Sequence, residues 1–187
     1  VQGMHHPILV NLTEVGVENN RCYWVMQLVR GNSLAQLSIE PPLASRNIAS
    51  IMLQIAQALA VAHAHGVVHG HLKPTKILID RRGNARLCGL GMAYRVPGSN
   101  ELTTTGEAFE APYYMPPESA SGKLPRPTPL CDVYSLGAVL YFLLTGRPPF
   151  QAANLLEVMQ LIVNQPVVPP RDIAPQVDSR MEDICLR

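Results

Sequence analysis

Between His63 and Asp80 the chain reads HAHGVVHGHLKPTKILID, and four histidines, His63, His65, His69 and His71, fall within nine positions. Imidazole ligates metals and, with an ordinary pKa of about 6.5, accepts protons near neutrality. Lys73 and Lys76 place two cations close behind. A metal site, however, needs neutral rings that converge and are held by supporting hydrogen bonds. His63 and His65 stand two apart at a helix end and so point in different directions. The spacing argues against a zinc site. Cys22, Cys88, Cys131 and Cys185 lie far apart with no CxxC pair, which suggests neither zinc ligation nor a disulfide framework and makes a reducing cytoplasm the default compartment.

The elements that must position these residues follow from periodicity. ILVNLTEVGV and RCYWVMQLV, separated by ENN, read as an antiparallel strand pair. Beyond GNSLAQL and Pro41–Pro42, apolar Ile48, Ile51, Met52, Ile55, Leu59 and Ala62 recur at helical spacing, and Gly66 is placed to cap that helix. ILID and ARLC flank the turn RRGN and form a second small hairpin. Residues 89–118 form a long loop of the kind that usually carries function. The run from Asp132 to Thr145 is apolar nearly all round and predicts a central helix stopped by Gly146 and Pro148. Asn154–Val163 predicts another helix, QPVVPPRDIAP an extended connector, and Asp178–Arg187 a last helix.

Composition bounds the function. Hydrophobic residues make up 47% of the 187 and charged residues 16%, which describes a core-rich globular domain rather than a disordered or nucleic-acid-binding one. The net charge of +1 selects no partner. No basic, apolar, small-residue leader pattern is read at the chain's start, so no secretory signal is expected. The longest apolar run, Leu136–Leu144, falls short of the roughly 20 residues that span a bilayer, so no membrane contact is expected. Val1 and the nearby HHPILVNL look like the interior of a domain, which predicts a truncated chain.

A helix, then HxxLKPxxIL on a loop between short strands, then a long loop ending in YMPPE, then DVYSLGAVLYFLLTGRPPF: this order resembles the protein kinase domain, in particular bacterial serine/threonine kinases of the eukaryotic type. The resemblance covers nearly the whole chain. It implies an α+β kinase-like fold, mainly the helical C-terminal lobe (32–187, incomplete at its end), with a remnant of the small lobe (1–31, two strands and hinge). Met26 to Gly31 resemble the hinge, so Met26, Gln27 and Val29 are candidate nucleotide contacts, with Leu78 as the floor of the purine slot. His63, His65 and His69 resemble ordinary family residues.

The family pattern reads HRDLxxxN at the catalytic loop, DFG at the magnesium motif and APE at the close of the activation segment. Here the same positions read His69, Gly70, His71, Leu72, Lys73, Pro74, Thr75, Lys76; then Gly89, Leu90, Gly91; then Pro116, Pro117, Glu118. His71 stands at the catalytic carboxylate, Gly89 at the metal-binding Asp and Lys76 at the metal-binding Asn. Glu110, Ala111 and Pro112 replace a GTP triplet whose hydroxyl helps fix the catalytic carboxylate. Hard cations want oxygen ligands, and none is offered. The family set of two Asp, one Asn and one Lys carries net −1, whereas His71, Gly89, Lys76 and Lys73 carry +2 with the imidazole neutral. Such a cleft repels magnesium, while Lys73 and Lys76 still attract phosphate as point charges.

Losing a general base alone typically costs a factor of about 10² to 10⁴, and losing the metal ligands adds a deficit in charge neutralisation. No metal and no cofactor are therefore expected, with ATP bound without magnesium as the alternative. No Gly-rich pattern is found before His5, and the strand lysine and helix glutamate, which in the family precede this strand pair, are expected to be missing. Thr103, Thr104 and Thr105 lie where activation-loop phosphorylation occurs in the family, but the arginine that reads that phosphate is Gly70, so a solvated threonine run is expected. Glu118 resembles the acid that pairs with an arginine beyond the last helix, a position the sequence does not reach. Asp132 resembles the aspartate that holds the catalytic-loop backbone; equally, it is an acid stabilised by a helix N-terminus.

The leading expectation is an inactive kinase-like domain that binds or scaffolds an unidentified protein partner. The rival is a serine/threonine kinase that transfers the ATP γ-phosphate to protein hydroxyls and whose missing parts lie in a longer chain. A third is a nonfunctional gene fragment.

Overall fold

The computed structural model describes residues 6–19, 21–37, 44–90 and 112–187. The first predicted hairpin is present: β1 (Leu12–Glu18) pairs antiparallel with β2 (Arg21–Met26). Asn19 turns the chain between them at φ 50°, a left-handed conformation that asparagine tolerates better than most residues. Val15, Val17 and Val25 on this ribbon are exposed.

A second sheet has the order β3–β4–β5, from Gly31–Ser33, Ile77–Asp80 and Ala85–Leu87. The β4–β5 hairpin is the predicted one, with Gly83 at φ 82° in its turn. Strand β3 is an addition. Three residues are too few for a two-residue period to register in sequence, and the pairing depends on a glycine. A Cβ on Gly31 would lie 2.0 Å from the carbonyl oxygen of Ile79. The chain before β1 joins this sheet: the Val10 N–H donates to the Leu87 carbonyl at 2.9 Å, and the Leu87 N–H to the Ile8 carbonyl at 2.7 Å.

The amphipathic helix forms as α1 (Ser45–Ala64) and buries Ile48, Ile51, Ile55, Leu59 and Ala62 against β5 and the helix that spans Pro129–Thr145. Each such fully buried aliphatic side chain contributes about 1.5–3 kcal/mol. Gly66 closes the helix at φ 70°, with Gly66 N–H donating to the His63 carbonyl and Val67 N–H to that of Ala62, both at 2.9 Å. This paired cap requires the left-handed residue that glycine supplies. By length and composition α1 could cross a bilayer, but its apolar stripe is part of this domain's core.

A single turn, α2 (Pro117–Ala120), precedes the central helix α3 (Pro129–Thr145). The helix starts at Pro129 rather than at Asp132, because a proline in the first turn loses no hydrogen bond, and Gly146 ends it at φ 78°. Val139, Tyr141 and Leu143 are fully buried. In α4 (Leu155–Asn164) the Asn154 side chain accepts from the Glu157 N–H at 2.9 Å. The expected extended connector instead contains a short helix, α5 (Pro170–Ile173). Pro170 again takes the first helical position, and the Ala174 N–H donates to its carbonyl at 2.8 Å. Asp178 caps α6 (Ser179–Cys185). Helices together with two small sheets make this the expected α+β fold.

Candidate functional site

The loop that resembles the family's catalytic loop is suspended from one carboxylate. Asp132, in the first turn of α3, is fully buried. Its Oδ1 accepts from the Gly70 N–H at 2.7 Å, and its Oδ2 from the His69 N–H at 2.8 Å and from His63 Nε2 at 2.7 Å. His63 stands on the last turn of α1. One side chain thus joins the central helix, the preceding helix and the loop. Both oxygens are occupied, which is what a buried carboxylate requires.

His69 continues the chain of bonds. The His71 N–H donates to its Nδ1 at 3.2 Å, so the ring proton sits on Nε2, which donates to the Cys88 carbonyl at 3.1 Å. The ring is buried, and burial pushes its pKa below the ordinary imidazole value. A neutral imidazole therefore bridges the loop to the strand end that leads to Gly89.

The β4–β5 hairpin draws together Lys76 and the strand end before Gly89; the resemblance reads Lys76 and Gly89 as the metal-ligand positions. Lys76 ends a 3₁₀ turn (Pro74–Lys76) directly before β4, and its carbonyl accepts from the Cys88 N–H at 2.9 Å. Gly89 follows at φ 89° and Gly70 stands at φ 70°. Both are left-handed conformations that cost a side-chain-bearing residue about 1–2 kcal/mol. Leu90 is buried in the main core. Lys73 is buried, Lys76 half-buried and His71 exposed. Among the described residues no three His, Cys, Asp or Glu side chains cluster as a metal site.

The remaining predicted site residues fall elsewhere. Gln27 and Val29 line a cleft of about 320 Å³ with the β4–β5 turn, whereas Met26, Leu78 and Lys76 do not. Leu78 is half-buried in β4, opposite Arg86. Glu118 lies in α2, where its carboxylate is 4.0 Å from the Cys131 thiol, and no described cation is within ion-pair reach. Thr103 to Thr105, Gly91, Glu110 and Ala111 lie outside the described residues. A larger cavity, about 800 Å³, lies away from the loop, among apolar residues of α1, α3 and α6 such as Met52, Leu53 and Ile184. Size does not mark the site here. The convergence of loop, hairpin and Asp132 does. Two members of that network, His63 as a partner of Asp132 and the Cys88 carbonyl, were not assigned from sequence, since partners 69 and 19 residues away leave no local signal.

A catalytic-type loop hung from the central helix, with a β-hairpin feeding a second short motif beside it, defines a kinase-like domain. The chain matches the protein kinase domain over residues 1–185, and it belongs to that family. It is 33% identical over 185 residues to the serine/threonine-protein kinase PrkC of Bacillus subtilis, covering 98% of this chain and 28% of that protein. It is 41% identical over 158 residues to the serine/threonine-protein kinase PkaA of Streptomyces coelicolor, covering 82% of this chain and 28% of that one. With Pkn1 of Myxococcus xanthus the identity is 34% over 188 residues, 97% of this chain and 26% of the relative. The chain spans less than a third of the length of these relatives.

Proposed function

We propose that this kinase domain performs no phosphoryl transfer and serves as a binding or scaffolding module for a protein partner on the cytoplasmic side. The observation that carries this reading is the Lys76–Cys88 backbone pairing, which holds Lys76 beside the strand end leading to Gly89; the resemblance reads these two positions as the family's metal ligands. Phosphoryl transfer needs magnesium on the phosphates and a carboxylate to take the hydroxyl proton. A lysine, a glycine and an imidazole supply neither, so the donor set does not fit the ion and no step is assigned through it. Nucleotide, where it binds, does so without magnesium, through the cations Lys73 and Lys76.

A second reading is supported by the completeness of the Asp132–His69–Gly70 network, which is the framework an active loop also needs. Under that reading the domain is a working serine/threonine kinase completed by a longer chain. Thermal melting separates the two. The inactive reading expects no added stabilisation from magnesium on top of ATP, and no transfer of labelled phosphate. Magnesium-dependent stabilisation, together with transfer lost in His71→Ala, would establish the enzyme instead.

A further inference from the structure

The cleft between the hinge-like segment and the β4–β5 turn carries charge that the kinase reading does not use. Four arginines line it: Arg30 on one side, and Arg81, Arg82 and Arg86 on the other. The one acid in its wall, Asp80, is already committed. Its Oδ1 accepts from the backbone N–H groups of Arg82 at 2.9 Å and Asn84 at 3.0 Å, and its Oδ2 lies 3.3 Å from Arg86 Nη2. These bonds, the Asn84 N–H foremost, hold its carboxyl below the usual range and keep it ionised. Arg86 is tied further to the Pro7 carbonyl. Arg30, Arg81 and Arg82 are exposed and form no ion pair among the described residues.

The walls of this cleft are fixed before any ligand arrives. Gly31 presses β3 onto the backbone of β4 so closely that no side chain fits between them, and Asp80 pins the turn. Leu28, on the same rim, is 80% exposed, the highest exposure among the large apolar side chains of the described residues. Guanidinium groups match phosphate oxygens with paired, charge-assisted hydrogen bonds. A bare leucine beside them favours a ligand with an apolar neighbour to its charge, and about 320 Å³ lies at the small end of ligand-site volumes.

We propose that this cleft binds a phosphate monoester carried on a peptide, with the phosphate on Arg30, Arg81 and Arg82 and an adjoining apolar side chain on Leu28. The site uses neither Lys73 nor Lys76 of the loop, and shares with the candidate nucleotide contacts only the lining residues Gln27 and Val29. The test is calorimetric titration of the full chain with a short peptide carrying phosphoserine next to leucine, with its unphosphorylated twin, and with inorganic phosphate. The phosphopeptide should bind at least about tenfold tighter than the twin, and the exposed-residue variant Arg30→Gln/Arg82→Gln should lose about tenfold or more with an unchanged melting temperature, as expected for losing charge-assisted hydrogen bonds. Leu28→Ser should weaken the peptide but not inorganic phosphate. Equal binding of both peptides, or an unaffected double variant, would overturn the proposal. Inorganic phosphate binding as tightly as the phosphopeptide would overturn the peptide carrier.

Discussion

The Cys88 N–H donates to the carbonyl of Lys76 at 2.9 Å, and the Cys88 thiol reaches the same oxygen at 3.3 Å. This doubly used oxygen fixes the strand end from which Gly89 departs. Lys76, a cation, and Gly89, without a side chain, are thereby anchored by one backbone pairing, and the proposed loss of metal binding rests on neither offering the oxygen that a divalent ion wants.

Asp132→Ala should be among the most damaging single substitutions. It would strip the acceptor from two backbone N–H groups and from His63 Nε2. Breaking a buried charged network of this kind costs about 3–5 kcal/mol. Chemical denaturation should show that loss, and a variant within about 1 kcal/mol of the parent would contradict the network's role.

Stability should fall as pH drops through the ordinary histidine range. The folded pKa of His69 is lowered, chiefly by burial, so below its unfolded value of about 6.5 the unfolded chain binds the proton that the folded chain refuses. Its contribution is intact above that pH and declines below it, by at most about 1.4 kcal/mol per pH unit for one proton. Asp132, His71 and Lys76 also act on this ring. Urea midpoints at several pH values should trace the decline, and His69→Gln should flatten it.

Restoring family side chains at the two left-handed glycines should destabilise the fold. Gly89→Asp and Gly70→Arg each place a Cβ at positive φ, at about 1–2 kcal/mol apiece. Midpoints equal to the parent in both variants would refute the strain argument.

Gly31→Ala and Gly66→Ala should differ in mechanism. At Gly31 the new Cβ meets the Ile79 backbone, whereas at Gly66 it meets nothing within 4 Å and pays only for φ 70°. Gly66→Ala should cost about 1 kcal/mol. Gly31→Ala should cost more and should raise amide exchange in β3 and β4, a local signature that Gly66→Ala lacks.

Much of this fold is legible because its signals are local. Ile48 through Ala62 mark α1, Gly66 and Gly146 mark helix ends, and Gly83 marks the hairpin turn. Strand β3 and helix α5 escape because a three-residue strand has no period and Pro169–Pro170 reads as a break until one proline takes the first helical position. At the site, the residue types missing from His71, Lys76 and Gly89 are visible in sequence, but their adjacency is not. It depends on the β4–β5 pairing. The role of His63 depends on a partner brought up by α3, and the arginine cleft on a turn folding back against residues about fifty positions earlier.

The cleft at His71, Lys76 and Gly89 should seat no divalent ion beside nucleotide phosphates. Paramagnetic resonance of Mn²⁺, standing in for magnesium, in the presence of ATP and a stoichiometric excess of the chain tests it most directly. The spectrum should match that of Mn²⁺ and ATP alone. A new, chain-dependent signal of protein-bound manganese that disappears in Lys73→Ala/Lys76→Ala would contradict it.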